Sequence, residues 1–410
     1  MSGFTAALKH IYLLMKKTII ALALLAATSG AMAQKTEGLV MTPPMGWNSW
    51  NKFHTDIDEE KIRGVVDVLV ESGLRDAGYI YVNLDDAWHG PRDEWGFITC
   101  NAKTFPSGMK ALADYVHERG LKFGVYSDAG RLTCAGFPGG QGHEYQDALT
   151  YASWGVDYLK YDWDRANIFR AEPAYTLMRD ALYASGRPIV FSICEWGENE
   201  TEKWAPAVGH LWRTGGDIGA YFDKSPCHEK SILEVIENNV KYREIAGPNR
   251  WNDPDNLEVG NGMTVNQDRA HFSIWCMMAA PLILGNDLRE MTKETLDIVL
   301  NREAIAIDQD SLGVQGLRHK VADGVQYWLK PLMNGDWAMC MLNTNKVPAN
   351  VTIDWAEFDV YDPVSRRSTG LKDIKYRIRD IWAHADAGRT DKPRRITIPA
   401  EDVVMWRLIR

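Results

Sequence analysis

The amino-acid sequence predicts an α/β fold: a (β/α)8 TIM barrel followed by a C-terminal antiparallel β-sandwich domain. From about residue 40 to residue 310, apolar strand-like runs alternate about eight times with amphipathic helical stretches, which is typical of a closed parallel barrel. After about residue 315, short strands separated by turn residues follow one another without helices. We therefore expect the barrel over residues 34–314 and the β domain over residues 315–410. A doubly wound open sheet is the alternative for the first of these.

Each predicted barrel unit joins an apolar strand to an amphipathic helix. In "ADYVHERGLKFGVYSD", Gly120 ends a helix, and a short turn leads to a strand. The eight predicted strands are "MGWNSW", "YIYVNLDD", "KFGVYSD", "VDYLKYD", "PIVFSICEW", "HLWRTGGD", the weaker "NRWNDPD", and "PLILGND". The predicted helices include "DEEKIRGVVDVLVESGL", "GMKALADYVHERG", "EPAYTLMRDALYAS", "EKSILEVIENNVKYREIA" and "KETLDIVLNREAIAI". The strands predicted in the β domain are "GVQYWLK", "DWAMCMLN", "NVTIDW", "RRITIP" and "VVMWRLI".

The N-terminus has the pattern of an export signal over residues 1–33. From Met15, which is an alternative start, two lysines precede an apolar run and a cleavage site at Ala31-Met32-Ala33. The run is too short to span a bilayer, although a membrane anchor is the alternative. The cleavage site contains no cysteine, which argues against a lipoprotein. We expect a mature chain that begins near Gln34 and is exported to the periplasm or the extracellular space.

Composition and motifs argue against several classes of protein. The net charge is −9 and no basic patch stands out, which argues against nucleic acid as a partner. The sequence contains no CxxC, HExxH or GxxxxGK[ST] motif, so we predict no metal site, no phosphate-binding loop and no cofactor. The six cysteines allow 15 pairings, among which spacing does not choose.

Polar side chains end the predicted barrel strands from the second to the eighth. In barrels of this kind, catalytic groups come from the C-terminal ends of different strands. A single aspartate at such a position is equally well explained as a turn cap, but seven coincident polar ends predict one shared, carboxylate-rich mouth. These residues are Asp85, Asp86, Asp128, Lys160, Asp162, Glu195, Arg213, Asp217, Asp253, Asp255, Asn286 and Asp287.

The fourth predicted strand carries two charges on one face. Tyr158, Lys160 and Asp162 are two residues apart and therefore point to the same side. If that side is the barrel interior, the Lys160 ammonium lies beside Asp162 and keeps it ionised at neutral pH, as a nucleophile requires. The alternative is a purely structural ion pair inside the barrel.

Two further groups of charged residues suit a sugar-binding site. Arg213 and Asp217 flank a Gly-Gly pair that permits close backbone approach to a ligand. Arg213 could bind a hydroxyl, and Asp217 could be a general acid if its surroundings raise its pKa; a helix N-cap is the alternative for Asp217. Asp85 and Asp86 are adjacent, so their carboxylates diverge, which suits the binding of two hydroxyls.

Aromatic residues accompany these carboxylates. Paired carboxylates, hydroxyl-binding groups and aromatic platforms, without a metal or phosphate loop, favour a glycoside hydrolase, whose transition state needs one carboxylate as nucleophile or base and another as acid. Core packing is the alternative for any one tryptophan. The tryptophans beside the strand ends are Trp47, Trp50, Trp88, Trp163, Trp196 and Trp251.

From about residue 40 to its end, the chain resembles glycoside hydrolase family 27, the α-galactosidases and α-N-acetylgalactosaminidases. The motifs are "TPPMGWNSWN", "NLDDAW", "TFPSGMKALADYVHERGLKFGVYSDAG", "WGVDYLKYD", "SICEWG", "WRTGGDI", "WNDPDNLEVGNG" and "QDSLGVQG". The resemblance implies a retaining double displacement. Asp162, in the "KYD" motif, would be the nucleophile, and Asp217, in the R-x-x-x-D motif, would be the general acid/base. Retention implies carboxyl groups about 5–5.5 Å apart.

The resemblance also implies which residues hold the galactosyl unit. Asp85 and Asp86 would bind the 4- and 6-hydroxyls, so that a glucoside would leave a buried carboxylate unpaired. Glu195 favours galactose over N-acetylgalactosamine, and Asp86 argues against a β-L-arabinopyranoside; enzymes for those two sugars, and a non-catalytic sugar-binding protein, remain the alternatives. The full set of expected substrate-binding residues is Trp47, Asp85, Asp86, Tyr126, Cys134, Lys160, Cys194, Glu195, Trp196 and Arg213.

Three positions depart from the family pattern. Relatives often place a cysteine two residues after the nucleophile, bonded to the counterpart of Cys134, but this chain has Asp164 there, so that bond cannot form. Ala87 stands where another family cysteine follows the paired aspartates, and Asn256 replaces the usual methionine of "WNDPDML". These changes concern the rigidity of the mouth and its leaving-group side, and not the expected nucleophile or acid.

Overall fold

The structure is a computed structural model that describes residues 35–164, 166 and 170–410. The expected export signal lies outside the described residues. Within the described part of the chain, no helix is long and apolar enough to cross a membrane. The six cysteines all lie in that part, and no disulfide joins any two of them there.

The first part of the chain forms a barrel of eight parallel strands, as the sequence predicts. The strands lie in the order β8-β1-β2-β3-β4-β5-β6-β7, and a parallel bridge between Leu257 and Leu284 links the two ends of the sheet. The strands are β1 Met45–Asn48, β2 Tyr81–Asn83, β3 Lys122–Asp128, β4 Tyr158–Asp162, β5 Val190–Cys194, β6 Leu211–Arg213, β7 Trp251–Asp253 and β8 Leu282–Leu284. An antiparallel hairpin, His89–Arg92 with Ile98–Cys100, follows β2.

The strands are apolar runs because helices cover the outside of the sheet. Every residue of β5 is buried, and only Lys122 of β3 is not. Such strands lack the polar alternation of a half-exposed sheet. The register places Asp128, Asp162 and Cys194 side by side at the ends of β3, β4 and β5. The fold therefore brings the polar ends of the strands to one edge.

In the part of the chain that the structure describes, nine α-helices surround the barrel, besides two single turns at Trp50–Phe53 and Leu74–Ala77. In the first helix, α1 Glu59–Glu71, Asp58 caps the N-terminus, and Ile62, Val65 and Leu69 face the strands. The helices are α1 Glu59–Glu71, α2 Met109–Glu118, α3 Glu144–Trp154, α4 Ala171–Ala184, α5 Thr201–Val208, α6 Ile232–Asn239, α7 Val265–Met278, α8 Lys293–Val299 and α9 Arg302–Asp308. Short 3-10 helices span Val240–Ile245 and Leu288–Glu290.

One predicted helix is two helices in the structure. The stretch "KETLDIVLNREAIAI" is divided between α8 and α9 because Asn301 interrupts it. The Asn301 side chain accepts the backbone N–H groups of Glu303 and Ala304 and so starts a new helix.

The C-terminal part is an antiparallel β domain, as predicted. Its main sheet has the order β9-β10-β11-β18-β15-β16, and β12 pairs with β17 and β13 with β14. A single 3-10 turn, Trp355–Phe358, interrupts the strands. The strands are β9 Leu317–Ala322, β10 Val325–Pro331, β11 Trp337–Asn343, β12 Ala349–Ile353, β13 Tyr361–Asp362, β14 Arg367–Ser368, β15 Arg377–Asp380, β16 Ala385–Arg389, β17 Arg394–Ile398 and β18 Asp402–Ile409.

The β domain packs on the barrel through α7. Trp275 of α7 belongs to the same apolar cluster as Trp328 and Met405 of the β domain. Across this interface the Arg243 guanidinium binds the Asp362 carboxylate, and the two side chains are only 9% and 1% exposed. The β domain therefore shares part of its core with the barrel.

We expect Asp362→Ala to destabilise the protein by about 3 kcal/mol, because it leaves the Arg243 guanidinium buried and unpaired. Urea denaturation followed by tryptophan fluorescence measures this difference. The matched control is Glu237→Ala. It breaks another ion pair between barrel and β domain, with Arg318, but Glu237 is 56% exposed, so a loss below about 1 kcal/mol is expected. Equal losses for the two variants would contradict the prediction.

Candidate active site

A cavity of about 510 Å³ opens at the carboxyl ends of the barrel strands. Residues that end or follow each strand from β1 to β7 contribute to its wall, as the polar strand ends predict. The wall comprises Trp50, Asn51, Lys52, His54, Asp85, Cys134, Lys160, Asp162, Asp164, Trp196, Arg213, Asp217, Ile218, Gly219, Ala220, His228, Glu229, Asp255, Glu258 and Asn261.

Asp162 ends β4, and its carboxylate is held in one orientation. Oδ2 accepts a hydrogen bond from Tyr126 Oη at 2.9 Å, and Oδ1 accepts the backbone N–H of Trp163 at 2.9 Å. Burial raises the pKa of Asp162 to about 7, against the Lys160 ammonium, which favours the carboxylate. Contrary to the expectation from the sequence, Lys160 therefore does not hold the pKa of Asp162 well below neutrality, because burial outweighs the cation.

The direct partner of Lys160 is Asp85. Lys160 Nζ lies 2.8 Å from Asp85 Oδ2, which also accepts Asn48 Nδ2 at 2.8 Å. The Asp85 N–H donates to Ser49 Oγ at 2.9 Å, which fixes the start of the loop after β2. Lys160 and Asp85 thus form a largely buried ion pair on the cavity wall, while the Lys160 charge acts on Asp162 from a neighbouring position.

Asp86 points away from Asp85, as the adjacent positions predict. Its Oδ2 accepts the backbone N–H of Ala135 at 3.0 Å and contacts Cys134 Sγ at 3.4 Å. Its Oδ1 lies 3.4 Å from His89 Nδ1. Burial opposes ionisation, but His89 and then the Ala135 N–H outweigh it and lower the pKa of Asp86 to about 2. Asp86 is therefore a fixed anion that anchors the loop containing Cys134.

Arg213 and Asp217 form an ion pair at the rim of the cavity. Arg213 Nη2 lies 3.0 Å from Asp217 Oδ1 and 2.7 Å from Asp255 Oδ2. Burial disfavours the Asp217 carboxylate, but the Arg213 guanidinium and then the Lys160 ammonium hold its pKa below the ordinary value. The acid role predicted from the sequence requires a raised pKa. In the structure the pKa of Asp217 is lowered instead, because Arg213 lies within contact distance.

Five of the expected substrate-binding residues, including Asp86 described above, lie behind the wall. Trp47 is fully buried and donates from Nε1 to the carbonyl of Asn286 at 2.8 Å. Tyr126 is also buried and contacts the wall residue Asp162 through the hydrogen bond from its hydroxyl. Cys194 and Glu195 are also buried.

The surroundings of Cys194 and Glu195 show how they support the wall. Cys194 Sγ accepts a hydrogen bond from Arg213 Nη1 at 3.7 Å. Glu195 Oε2 accepts the backbone N–H and the side-chain amide of Asn199 at 2.9 and 2.8 Å. Of the "CEW" motif, Trp196 is the residue in the cavity wall.

Several wall residues were absent from the predicted set. Trp50 rather than Trp47 lines the cavity; both were predicted as aromatic residues beside a strand end, but only Trp47 was expected to bind substrate. Asp255 carried a signal as a polar strand end. His228 and Glu258 lie in loops where the sequence offered no periodic pattern. Among residues 35–164, 166 and 170–410, no three His, Cys, Asp or Glu side chains are arranged to hold a metal ion.

Comparisons with known proteins agree with this architecture. The family model described as alpha galactosidase A matches residues 42–310, and the model described as alpha galactosidase C-terminal beta sandwich domain matches residues 322–408. Alpha-galactosidase A of Cellvibrio japonicus is 48% identical over 382 residues, which cover 92% of this chain and 94% of that relative.

Solved structures agree over nearly the whole chain. Alpha-galactosidase I of Mortierella vinacea has a TM-score of 0.85 at 33% identity and covers 91% of this chain and 98% of its own. Alpha-galactosidase of Saccharomyces cerevisiae, solved with raffinose, has a TM-score of 0.85 at 29% identity, with coverages of 92% and 99%. The match over residues 42–310 and the 48% identity confirm the resemblance seen in the motifs: the chain belongs to the alpha galactosidase A family.

Proposed function

We propose that this chain is an exo-acting α-galactosidase that hydrolyses terminal α-D-galactosyl residues of oligo- or polysaccharides with retention at the anomeric carbon. The observation that carries the proposal is that Asp162 and Asp217 line one cavity and act on each other electrostatically. Two carboxyl groups beside one pyranose are what a retaining glycosidase requires. The relatives named α-galactosidase, one of them solved with raffinose, support this substrate class.

The reaction would proceed in two displacements. In the first, the Asp162 carboxylate forms a bond to C1 while the C1–O bond breaks, and Asp217 gives its proton to the leaving oxygen. In the second, the Asp217 carboxylate takes a proton from water, whose oxygen attacks C1 and releases Asp162. The Tyr126 hydroxyl and the Trp163 N–H hold the Asp162 oxygens in the orientation for attack.

The other polar residues would hold the galactosyl unit. Asp85, Lys160 and Arg213 present charged atoms in the wall, and Asp86 fixes the loop that brings Cys134 to it. An axial 4-hydroxyl bound by a buried carboxylate would distinguish galactose from glucose, since a glucoside leaves that carboxylate unpaired. Trp196 offers an aromatic face at the same mouth, while Trp47, Cys194 and Glu195 support the wall from behind.

We expect kcat/KM for an unactivated α-galactoside to fall about tenfold per pH unit above about pH 7. Over the acidic to neutral range the two carboxyl groups share one proton, which the productive form carries on Asp217. Because the pKa of Asp162 is raised to about 7, the pair loses this last proton near that pH. A pH–rate profile measures the limb. A constant kcat/KM up to pH 9 would contradict the prediction.

The stereochemistry of the first product tests the proposed mechanism. Proton NMR recorded within seconds of mixing enzyme with an aryl α-galactoside is expected to show α-galactose before mutarotation. Initial release of β-galactose would refute the double displacement.

The choice of sugar is tested by parallel assays with aryl α-N-acetylgalactosaminide and aryl β-L-arabinopyranoside. Hydrolysis of each is expected to be at least about 100-fold slower than that of the α-galactoside, because each sugar either clashes with groups in the wall or leaves them unpaired.

Export of the enzyme is a separate proposal, supported by the lysines, the apolar run and the Ala31-Met32-Ala33 site that precede Gln34. Sequencing the N-terminus of the protein recovered from periplasm and culture medium tests it. A mature chain that begins near residue 34 is expected, and a chain that retains residues 15–33 in the cytoplasm would refute export.

A further inference from the structure

Asp255, which the mechanism above does not use, lies in the cavity wall just after β7. Its Oδ2 accepts the backbone N–H of Ile218 at 2.9 Å, its Oδ1 accepts that of Asn256 at 2.7 Å, and its carbonyl accepts Trp275 Nε1 at 3.0 Å. Its φ of +97° is a left-handed conformation that a side chain disfavours. Strain of this kind persists where the surroundings fix it, and it is concentrated at functional sites.

The Arg213 guanidinium forms ion pairs with two carboxylates, those of Asp255 and Asp217. Arg213 Nη2 is 2.7 Å from Asp255 Oδ2 and 3.0 Å from Asp217 Oδ1. Arg213 and Asp255 are 3% and 8% exposed, whereas Asp217 is 49% exposed. Arg213 and Asp255 lie closer together and are more buried than Arg213 and Asp217, so water screens their attraction less. The Asp255 charge therefore offsets Arg213 charge that would otherwise act on Asp217 alone.

Among the residues that the structure describes, Asp217 and Asp255 are the two carboxylates in ion-pair contact with Arg213. Lys160 is already paired with Asp85, so Arg213 is the cation in direct contact with Asp217. Burial raises the pKa of Asp255, while the Arg213 guanidinium beside it favours its charged form. The charged and titratable groups around Asp217 come from several elements. They are Lys160 and Asp162 on β4, Arg213 on β6, His228 in the following loop, and Asp253 and Asp255 at the end of β7.

We propose that Asp255 is a positioning residue that neutralises Arg213 and thereby lets Asp217 carry the proton that the leaving oxygen receives, a role that rests on the function proposed above. As the C1–O bond breaks, its electron pair stays on the leaving oxygen, which takes the proton from Asp217, while Asp162 forms the new bond to C1. An Arg213 paired with Asp217 alone would hold Asp217 as a carboxylate, without a proton to give. The bond from Ile218 to Asp255 also fixes the backbone next to Asp217.

Asp255→Asn tests the role because it removes the charge and keeps the size. On raffinose, whose leaving group is an alcohol, kcat/KM is expected to fall on the order of 100-fold. On 2,4-dinitrophenyl α-galactoside, whose leaving group needs no proton, the loss is expected to stay below about tenfold, and the basic limb of the raffinose pH profile is expected to move to lower pH. Equal losses on the two substrates, or a basic limb that stays in place, would overturn the proposal.

A double variant, Arg213→Gln with Asp255→Asn, removes both charges and leaves no unpaired cation. This double variant also tests the role of Asp255 if the single variant does not fold. The ratio of kcat/KM on raffinose to that on the dinitrophenyl substrate is expected to lie within about tenfold of the wild-type ratio. A double variant with a ratio about 100-fold lower would overturn the proposal, because the effect would then not pass through Arg213.

Asp217→Ala separates failure of this inference from failure of the proposed function. If Asp217→Ala lowers kcat/KM equally on both substrates, Asp217 is not the general acid, and the mechanism given under the proposed function fails together with the inference. If it selectively lowers kcat/KM on raffinose while Asp255→Asn does not, only the role of Asp255 fails.

Discussion

Asp162→Asn is expected to lower kcat on an aryl α-galactoside by roughly 10⁵-fold, because an amide cannot form the glycosyl ester. The fold should survive, since an asparagine oxygen can still accept the hydrogen bond from Tyr126 and the variant removes a buried ionisable group. Steady-state kinetics measure the loss, and circular dichroism confirms that the variant is folded. With Asp162→Ala, added azide is expected to occupy the vacated space and yield β-galactosyl azide.

Asp128→Asn is the matched control for this prediction. Asp128 pairs with Asp162 in the register of β3 and β4, and both side chains are buried. Burial and then the Asp162 charge raise the pKa of Asp128 to about 9, so it is protonated at neutral pH and an amide replaces it closely. We expect kcat to stay within about tenfold of wild type. Comparable losses for Asp128→Asn and Asp162→Asn would mean that any change in this buried row inactivates the enzyme.

Asp217→Ala is expected to lower kcat/KM on raffinose on the order of 10³-fold, because the sugar leaving group needs a proton. On 2,4-dinitrophenyl α-galactoside the first step should be nearly unaffected. The second step should become slow, since no base activates water, so a burst of dinitrophenol is expected before a slow steady state. Stopped-flow absorbance measures both phases.

Azide provides the check on the role of Asp217. It needs no general base, so it is expected to restore turnover of the dinitrophenyl substrate by Asp217→Ala and to yield α-galactosyl azide. Formation of the β anomer, or the absence of a burst, would contradict the assignment of Asp217 as the acid/base.

The barrel strands could be predicted because strands buried on both faces are continuous apolar runs. The helix α7 could not be predicted in the same way, since every residue from Ala270 to Met278 is buried and no apolar stripe remains. In α3, the buried residues include Glu144, Asp147 and Thr150, which obscure the helical period.

At the candidate site, the sequence indicated the strand ends but not the pairing of their charges. Lys160 and Asp162 share a face, yet Lys160 binds Asp85, which lies 75 residues earlier in the chain. The pKa of Asp162 and the division of Arg213 between Asp217 and Asp255 depend on burial and on distances between different strands. Local sequence does not contain these quantities.

Covalent trapping identifies the nucleophile most directly. A fluorinated α-galactosyl donor with a good leaving group should form the first intermediate and hydrolyse it slowly, because fluorine destabilises the oxocarbenium-like transition state. After proteolysis, mass spectrometry is expected to find the fluorogalactosyl adduct on the peptide that contains Asp162, and fragmentation should place it on that residue. A fully inactivated enzyme whose adduct lies on Asp85, Asp217 or any other residue, or turnover without an adduct, would contradict the account.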